Sequence, residues 1–344
     1  MFPRIATIEH MCESLSLFSE PTKAWFEHAF GQPTEAQAQA WPAIHSGRNV
    51  LVIAPTGSGK TLAAFLSAID RLMTVSRTRR AGVRVLYVSP LKALAVDVAK
   101  NLEQPLEGIA AQCEAQGLPA PKIAVANRSG DTTTQERRRI ASHPPDILVT
   151  TPESLYLLLT SKAGRILGTV DTVIVDEIHA VAGTKRGSHL ALSLERLENL
   201  VAESRRRDAM DRNDGESKVS DDSGNEPLLQ RIGLSATVNP PEEAARFLTG
   251  GRPVTIVNPG GRPAMDLRMV EPLENMRDLQ SVNAKQRVGG VDSERPTPHI
   301  SGVTPAMQRL AERKGIAQTG DSGLSAGGNG VLVGGEAGAG GDGA

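Results

Sequence analysis

NVLVIAPTGSGKT, residues 49–61, runs from aliphatic and β-branched residues into a glycine-rich turn. The next segment, TLAAFLSAIDRLM, repeats Leu62, Phe65, Leu66, Ile69, Leu72 and Met73 at three- and four-residue steps, one apolar face of a helix. Strand, turn and helix in this order match the phosphate-binding loop pattern, with Gly59, Lys60 and Thr61 in place and Ala54 where the strict pattern has glycine. Gly57 and Gly59 let backbone N–H groups turn towards an anion, and the helix N-terminus adds positive potential. Pro55, Thr56 and Ser58 fill out the loop. Lys60 reaches outer phosphates, and the Thr61 hydroxyl suits a Mg²⁺ ion.

Around this unit, short β-branched runs alternate with helical patterns from about residue 48 to 257. The strands expected are NVLVIA, VRVLYVS, KIAVA, DILVT, TVIVD, RIGLSA and PVTIV. Alternation of this kind predicts an α/β fold, a mainly parallel sheet covered by helices on both faces. Ligands of such sheets bind beyond the carboxyl ends of the strands, where most of the unusual tripeptides lie.

VIVDEIHA, residues 173–180, delivers Asp176 and Glu177 together at the end of one such strand. Adjacent buried carboxylates repel unless a cation sits on one of them. A Mg²⁺ ion shared by Thr61, the phosphates and Asp176 answers that need. Glu177 is then placed to orient a water for attack on the terminal phosphate and to accept its proton. Lys60, Asp176 and Glu177 are the candidate catalytic residues.

Bulk properties narrow the class. Lys and Arg number 38 against 39 Asp and Glu, a net charge of −1, so any polyanion site is local rather than a global basic field. Cys12 and Cys113 are too few for a disulfide framework or zinc cluster, which fits a reducing cytoplasm. No apolar run approaches the ~18–20 residues that span a bilayer, so no membrane partner is expected. Glu9 and Glu13 interrupt the N-terminal stretch where a signal peptide needs unbroken apolar residues.

APTGSGKT, DEIH at 176–179 and SAT at 235–237, in this order, resemble motifs I, II and III of superfamily-two DEAD/DEAH-box helicases. SPLKALAVDVAKNL, NRSGDTT, TTPESLYLLLTS and DEIHAVAGTKRGSHLALSLERL are similar to the large helicase-related (Lhr) proteins, over roughly residues 15–275. The resemblance implies a RecA-like first motor domain of an ATP-dependent translocase moving 3′ to 5′ on single-stranded DNA. Carried over by position, Gln37 in PTEAQ matches the glutamine that reads adenine, its amide pairing with N6 and N7. Trp41 shares the helical face of Gln37 and reads as core. Phe18 falls near the family's adenine-flanking aromatic. His179 is implied to couple the ATP site to Ser235, Ala236 and Thr237.

The same resemblance assigns a phosphate track. Pro90, Leu91, Lys92 and Ala93 offer a helix N-terminus and one charge to a nucleic-acid backbone. Arg128, Ser129, Gly130 and Asp131, then Thr150, Thr151, Pro152, Glu153 and Ser154, continue it at neighbouring strand ends. Backbone contacts predict binding that falls steeply with salt and has little sequence preference. The basic runs RRRI (137–140) and RRR (205–207) read as solvated faces. Single-stranded DNA is the expected partner, and an RNA/DNA hybrid stays open because these residues do not read the 2′-OH.

The domain expectation is a helicase ATP-binding domain at 1–274, with a polar excursion at 203–227 and a disordered, low-complexity, Gly-rich tail at 275–344. The second RecA-like domain, which in this class supplies an arginine finger in a QxxGRxGR-like motif, has no counterpart in the sequence. The expectation is therefore a fragment of a longer enzyme with weak turnover alone, since such a finger contributes about 10³ to 10⁵ in rate. The alternative is a non-catalytic ATP- or nucleic-acid-binding module that needs a partner domain. A GTPase is disfavoured by the absence of an NKxD-type guanine reader, and a kinase leaves SPLKAL, TTPES and SAT unexplained.

Overall fold

The computed structural model describes residues 13–74, 81–211 and 228–260. A strand forms in every expected region, although the one expected at KIAVA (122–126) starts only at Val125 and runs on to Arg128: β1 (Val50–Ile53), β2 (Val85–Val88), β3 (Val125–Arg128), β4 (Ile147–Thr150), β5 (Thr172–Val175), β6 (Gln230–Ser235) and β7 (Thr255–Val257). They make one sheet in the order β3–β4–β2–β5–β6–β1–β7, and every pairing is parallel. Registers such as Val50↔Ile232 and Tyr87↔Ile174 bring the carboxyl ends of β1, β6, β5 and β2 to one rim.

Alternate residues point to opposite faces of a strand, which divides the core into two layers. Val50, Val52, Val85, Tyr87, Ile147, Val149 and Ile174 face α1 (Glu20–Phe30), α2 (Glu35–His45), α3 (Lys60–Thr74), α4 (Lys92–Asn101) and α5 (Glu103–Ala115). Leu51, Ile53, Leu86, Val88, Leu148, Val173 and Val175 face the other layer. That layer contains α7 (Pro152–Leu159), a 3₁₀ segment (Lys162–Thr169), α8 (Ile178–Val181), α9 (Lys185–Asp211) and α10 (Pro241–Thr249), with α6 (Thr134–Ser142) contributing Ile140. Helices on both faces explain why the strands are apolar throughout rather than alternating. Each large aliphatic side chain buried here contributes about 1.5–3 kcal/mol of transfer free energy.

Helix α9 carries its apolar stripe at Leu190, Leu194, Leu197 and Val201. It then continues through residues 203–211, so the first part of the polar stretch expected as an excursion is helical. ESRRRDAM has no Gly or Pro, and Arg207 pairs with Glu203 one turn back at 3.6 Å, so local propensity extends the helix beyond its buried face. The remainder of that stretch, 212–227, and the tail expected at 275–344 lie outside the described residues. Among the described residues no helix is long and apolar enough to cross a membrane.

Candidate functional site

The glycine-rich loop follows β1 directly, and Ala54 N–H donates to Ser235 O at 3.1 Å, tying its start to the end of β6. Gly57 and Gly59 both have positive φ, 84° and 78°. Apart from Gly57 itself and its two chain neighbours, no atom lies within 4 Å of where a Cβ on Gly57 would sit, so the cradle is open on that side. At Gly59 a Cβ would stand 2.5 Å from Gln37 Nε2, so glycine is required there by conformation and by space. Helix α3 begins at Lys60, immediately after the loop, with its first N–H groups facing the cradle side.

Thr34 and Gln37 clamp the loop to α2. Thr34 Oγ1 accepts from Gln37 N–H at 3.3 Å and donates to Ser58 O at 2.8 Å. Gln37 Oε1 accepts from Thr34 N–H at 2.9 Å, and Nε2 donates to Gly59 O at 3.3 Å. The amide expected to read adenine is therefore engaged within the protein, with one lone pair and one N–H left over. Phe18 and Trp41 pack edge to face at 4.9 Å in the core, and Trp41 Nε1 donates to Ala63 O at 3.1 Å. A cavity of about 310 Å³ opens beside the loop, lined by Thr34, Pro55, Ser58, Thr237 and Asn258 among others. Ser58 Oγ is buried beside it with no hydrogen-bond partner.

Asp176 and Glu177 leave the end of β5 towards this loop. Asp176 is 2% exposed. Its Oδ2 accepts from the Tyr87 hydroxyl and its Oδ1 from the Glu177 N–H at 2.8 Å. Burial raises the Asp176 carboxyl above the usual range, although both hydrogen bonds oppose the shift. Burial, then the Asp176 charge, likewise raise the Tyr87 phenol, so Tyr87 is a neutral donor. Glu177 has φ 48°, the left-handed region, and is the only non-glycine residue there among the described residues. That turn re-aims the chain into α8 at a cost of about 1–2 kcal/mol. It brings Glu177 Oε1 to 3.9 Å from Lys60 Nζ, which also donates to Ala54 O at 3.4 Å. Glu177 Oε2 lies 3.3 Å from His179 Nδ1. The same Nδ1 is 3.2 Å from Ser235 Oγ and accepts from Ala236 N–H at 3.4 Å, so His179 meets two of the three residues of SAT, while Thr237 lines the cavity.

The donor set can be weighed against Mg²⁺ and nucleotide. Among the described residues no cluster of three or more His, Cys, Asp or Glu could hold a metal. A hard cation would rest on Thr61, the desolvated Asp176 carboxylate and phosphate oxygens, a mode Mg²⁺ commonly uses. The open glycine cradle and the unpartnered Ser58 hydroxyl fit a polyphosphate.

The other expected residues gather at the ends of β2, β4 and β3, next along the rim. Pro90 and Leu91 lead into α4, whose first turn begins at Lys92 and Ala93 and has no side-chain cap. Lys92 Nζ reaches Asp131 at 2.8 Å, joining two expected stretches across β4, with Ser129 and Gly130 between. Thr150 is buried and donates to Arg128 O at 2.7 Å, so its hydroxyl serves the backbone. Thr151 caps α7, accepting from Ser154 N–H at 3.4 Å behind Pro152. Glu153 is held by Arg186, whose Nη2 also donates to Pro90 O at 2.9 Å. The Arg186 hydrogen bond pulls Glu153 below the usual carboxylate range.

Three contributors were missed from sequence. Thr34 carried a signal, the T-x-x-Q capping box with Gln37. Tyr87 carried a weaker one: a tyrosine in a buried aliphatic strand needs a partner for its hydroxyl. Arg186, whose partners are 33 and 96 residues away, carried none.

Comparison with known proteins identifies the family. The sequence matches the DEAD/DEAH box helicase family over residues 34–245. It is 51% identical over 302 residues to the Lhr helicase/probable uracil glycosylase of Mycolicibacterium smegmatis, covering 88% of this chain and 18% of that protein. It is 48% identical over 272 residues to the Lhr helicase/uracil glycosylase of Escherichia coli, covering 77% of this chain and 16% of that protein. The chain thus spans less than a fifth of the length of these curated relatives. Among solved structures, Mycobacterium smegmatis helicase Lhr bound to ssDNA and AMP-PNP superposes with a TM-score of 0.61 and 57% identity, over 71% of this chain and 28% of that one. The DEAD-box helicase Mss116, at 16% identity and a TM-score of 0.56, shares the fold. By the extent of the family match and its similarity to the Lhr helicases, the chain belongs to the DEAD/DEAH box helicase family.

Proposed function

We propose that this chain is the ATP-binding half of an Lhr-type motor that translocates 3′ to 5′ on single-stranded DNA, within a RecA-like domain spanning residues 1–274. The observation that carries the reading is the meeting of Lys60, Asp176 and Glu177 beside an open glycine cradle. Lys60 neutralises outer phosphate charge, and the N–H groups of Gly57 to Thr61 hold phosphate oxygens. Mg²⁺ supplies charge neutralisation at the phosphates when held by Thr61 and Asp176. Glu177, fixed by its left-handed turn, orients a water and takes its proton. His179 passes the state of that carboxylate to Ser235 and Ala236. Gln37 uses its remaining lone pair and N–H on adenine.

The rim at β2, β4 and β3 offers phosphate contacts from Pro90–Ala93, Arg128–Asp131 and Thr150–Ser154. A solved relative with 57% identity is bound to ssDNA, which favours a single strand there. A second RecA-like domain completes the site with an arginine finger, so unassisted turnover is low.

The test is ATP hydrolysis by the full chain with and without single-stranded DNA, beside Glu177→Gln and a fluorescent-nucleotide binding assay. Glu177→Gln is expected to bind nucleotide as the parent does and to lose about 10²- to 10⁴-fold in any turnover. Parent-level hydrolysis by that variant would refute the role of Glu177. Nucleotide binding with no stimulated turnover in the parent is the result expected of half a motor that waits for its second domain, and stimulated turnover lost in Glu177→Gln would mean that the finger arrives from elsewhere.

A further inference from the structure

The run RRRI at 137–140 reads from sequence as a solvated face, and Arg138 and Arg139 are exposed on α6 as that reading requires. Arg137 is different. It is half-buried, its Nη2 donates to Gly130 O at 2.8 Å, and its Nε is buried with no hydrogen-bond partner. Arg128, at the end of β3, is 9% exposed, and its Nη1 is also buried without a partner. The hydrogen bond to Gly130 brings Arg137 back to the loop that starts two residues earlier at Arg128, and burial, then the charge of Arg137, hold the Arg128 guanidinium below its ordinary pKa.

Among the described residues no carboxylate forms an ion pair with either arginine. The nearest acids in sequence are engaged elsewhere, Glu136 by Thr133 and Asp131 by Lys92. Two other arginines differ in having acids: Arg231, whose Nε is also buried without a partner, pairs with Glu195 and Glu198, and half-buried Arg84 pairs with Asp171. An unmet buried donor is unfavourable, and unneutralised like charges add to that. Two guanidinium forks brought to one loop without a paired acid are suited to a phosphate. Their position is one strand along from Thr150, which lies in register with Arg128, and beside the α7 N-terminus.

We propose that Arg128 and Arg137 form a cleft that takes one phosphodiester group of a bound single strand. The inference rests on the nucleic-acid reading above and adds Arg137, which lies outside the motifs that suggested the track. The cleft contacts backbone, not bases, so it contributes equally on every sequence.

The experiment uses the full 344-residue chain and a labelled oligothymidylate, with affinity measured across a salt series. Each phosphate neutralised on a single strand adds about 0.7 to the slope of log affinity against log salt. Arg137→Ala is expected to bind about three- to tenfold more weakly at low salt and to lose about 0.7 of slope. Arg138→Ala keeps both parent values. Arg137→Lys keeps the slope but recovers only part of the affinity, because the charge remains and the fork is lost. Nucleotide-analogue binding stays at the parent value in all three. Arg137→Ala with parent affinity and slope overturns the cleft and leaves the wider track standing. Should that variant melt early, Arg137→Lys decides, and parent affinity in it overturns the cleft. A parent chain that binds no single strand overturns the functional reading and this inference with it.

Discussion

At the amino ends of the strands, Arg231 is 1% exposed and donates to Glu195, Glu198 and the Leu248 carbonyl, while Arg252 closes the group from the far side of Glu195. Nearby, Arg84 and Arg205 share Asp171. At the carboxyl ends, Asp176 is as deeply buried, yet no lysine or arginine forms an ion pair with it among the described residues. Its partners are a phenol and a backbone N–H. One rim neutralises its charges internally and so fastens α9 and α10 to the sheet. The other keeps a desolvated carboxylate, a left-handed glutamate and open glycines, features that cost stability in the absence of a ligand. Sheet architecture thus separates what holds the domain together from what is left available for chemistry.

The largest expected effect tests the fastening rim. Arg231→Met should lower stability by about 3 kcal/mol in urea unfolding, since it removes the central cation and leaves two glutamates to Arg252 alone. A loss below about 1 kcal/mol would erase the contrast between the rims. Next comes Tyr87→Phe, which keeps the ring contact with Phe65 but leaves the buried Asp176 oxygen without its donor. A loss of about 1–3 kcal/mol is expected, and it should shrink when Asp176 is already Asn. A cost unchanged in the Asn background would mean that the phenol serves packing and not the carboxylate. Asp176→Asn alone is expected to act in the opposite direction, raising the stability of the nucleotide-free chain by about 1 kcal/mol while abolishing turnover. A destabilised Asp176→Asn would show that this charge is as well compensated as those at the other rim.

The smallest effect is a pH slope. Glu195 is pulled down to about 2 by its hydrogen bond from Arg252 and then by Arg231. Its folded pKa lies below its unfolded value, so the unfolded chain binds more protons between the two. The contribution is fully present above about pH 4.5 and is lost as pH falls towards 2. Because the Glu195 side chain is 43% exposed, screening limits it to under about 1 kcal/mol. Glu195→Gln should flatten that part of the stability–pH curve, and an unchanged curve would remove Glu195 from the network. Asp176 has the reverse sign. Burial raises its folded pKa, so its ionisation weakens the fold as pH rises through that value.

Much of the fold is legible in the sequence because its determinants are local. Strands VLVI, VLYV, ILVT and TVIV are runs of β-branched and aliphatic residues, and α3 shows its apolar face at three- and four-residue steps. The turn glycines at 57 and 59 and the T-x-x-Q box at Thr34 act within a few residues of themselves. The motif order along the chain also places the candidate sites at strand ends.

What only the tertiary structure decided depends on which strands become neighbours. The order β3–β4–β2–β5–β6–β1–β7 sets β2 against β5, and only then does the Tyr87 hydroxyl find Asp176, 89 residues away. The same packing sends Arg186 to Pro90 and Glu153, folds the Gln37 amide onto Gly59, and brings Arg137 back to the loop that starts at Arg128 while Arg138 and Arg139 face water. Sequence encodes conformational preference over a few residues, whereas a hydrogen bond or an unmet charge is settled by groups that register and crossover bring together from far along the chain.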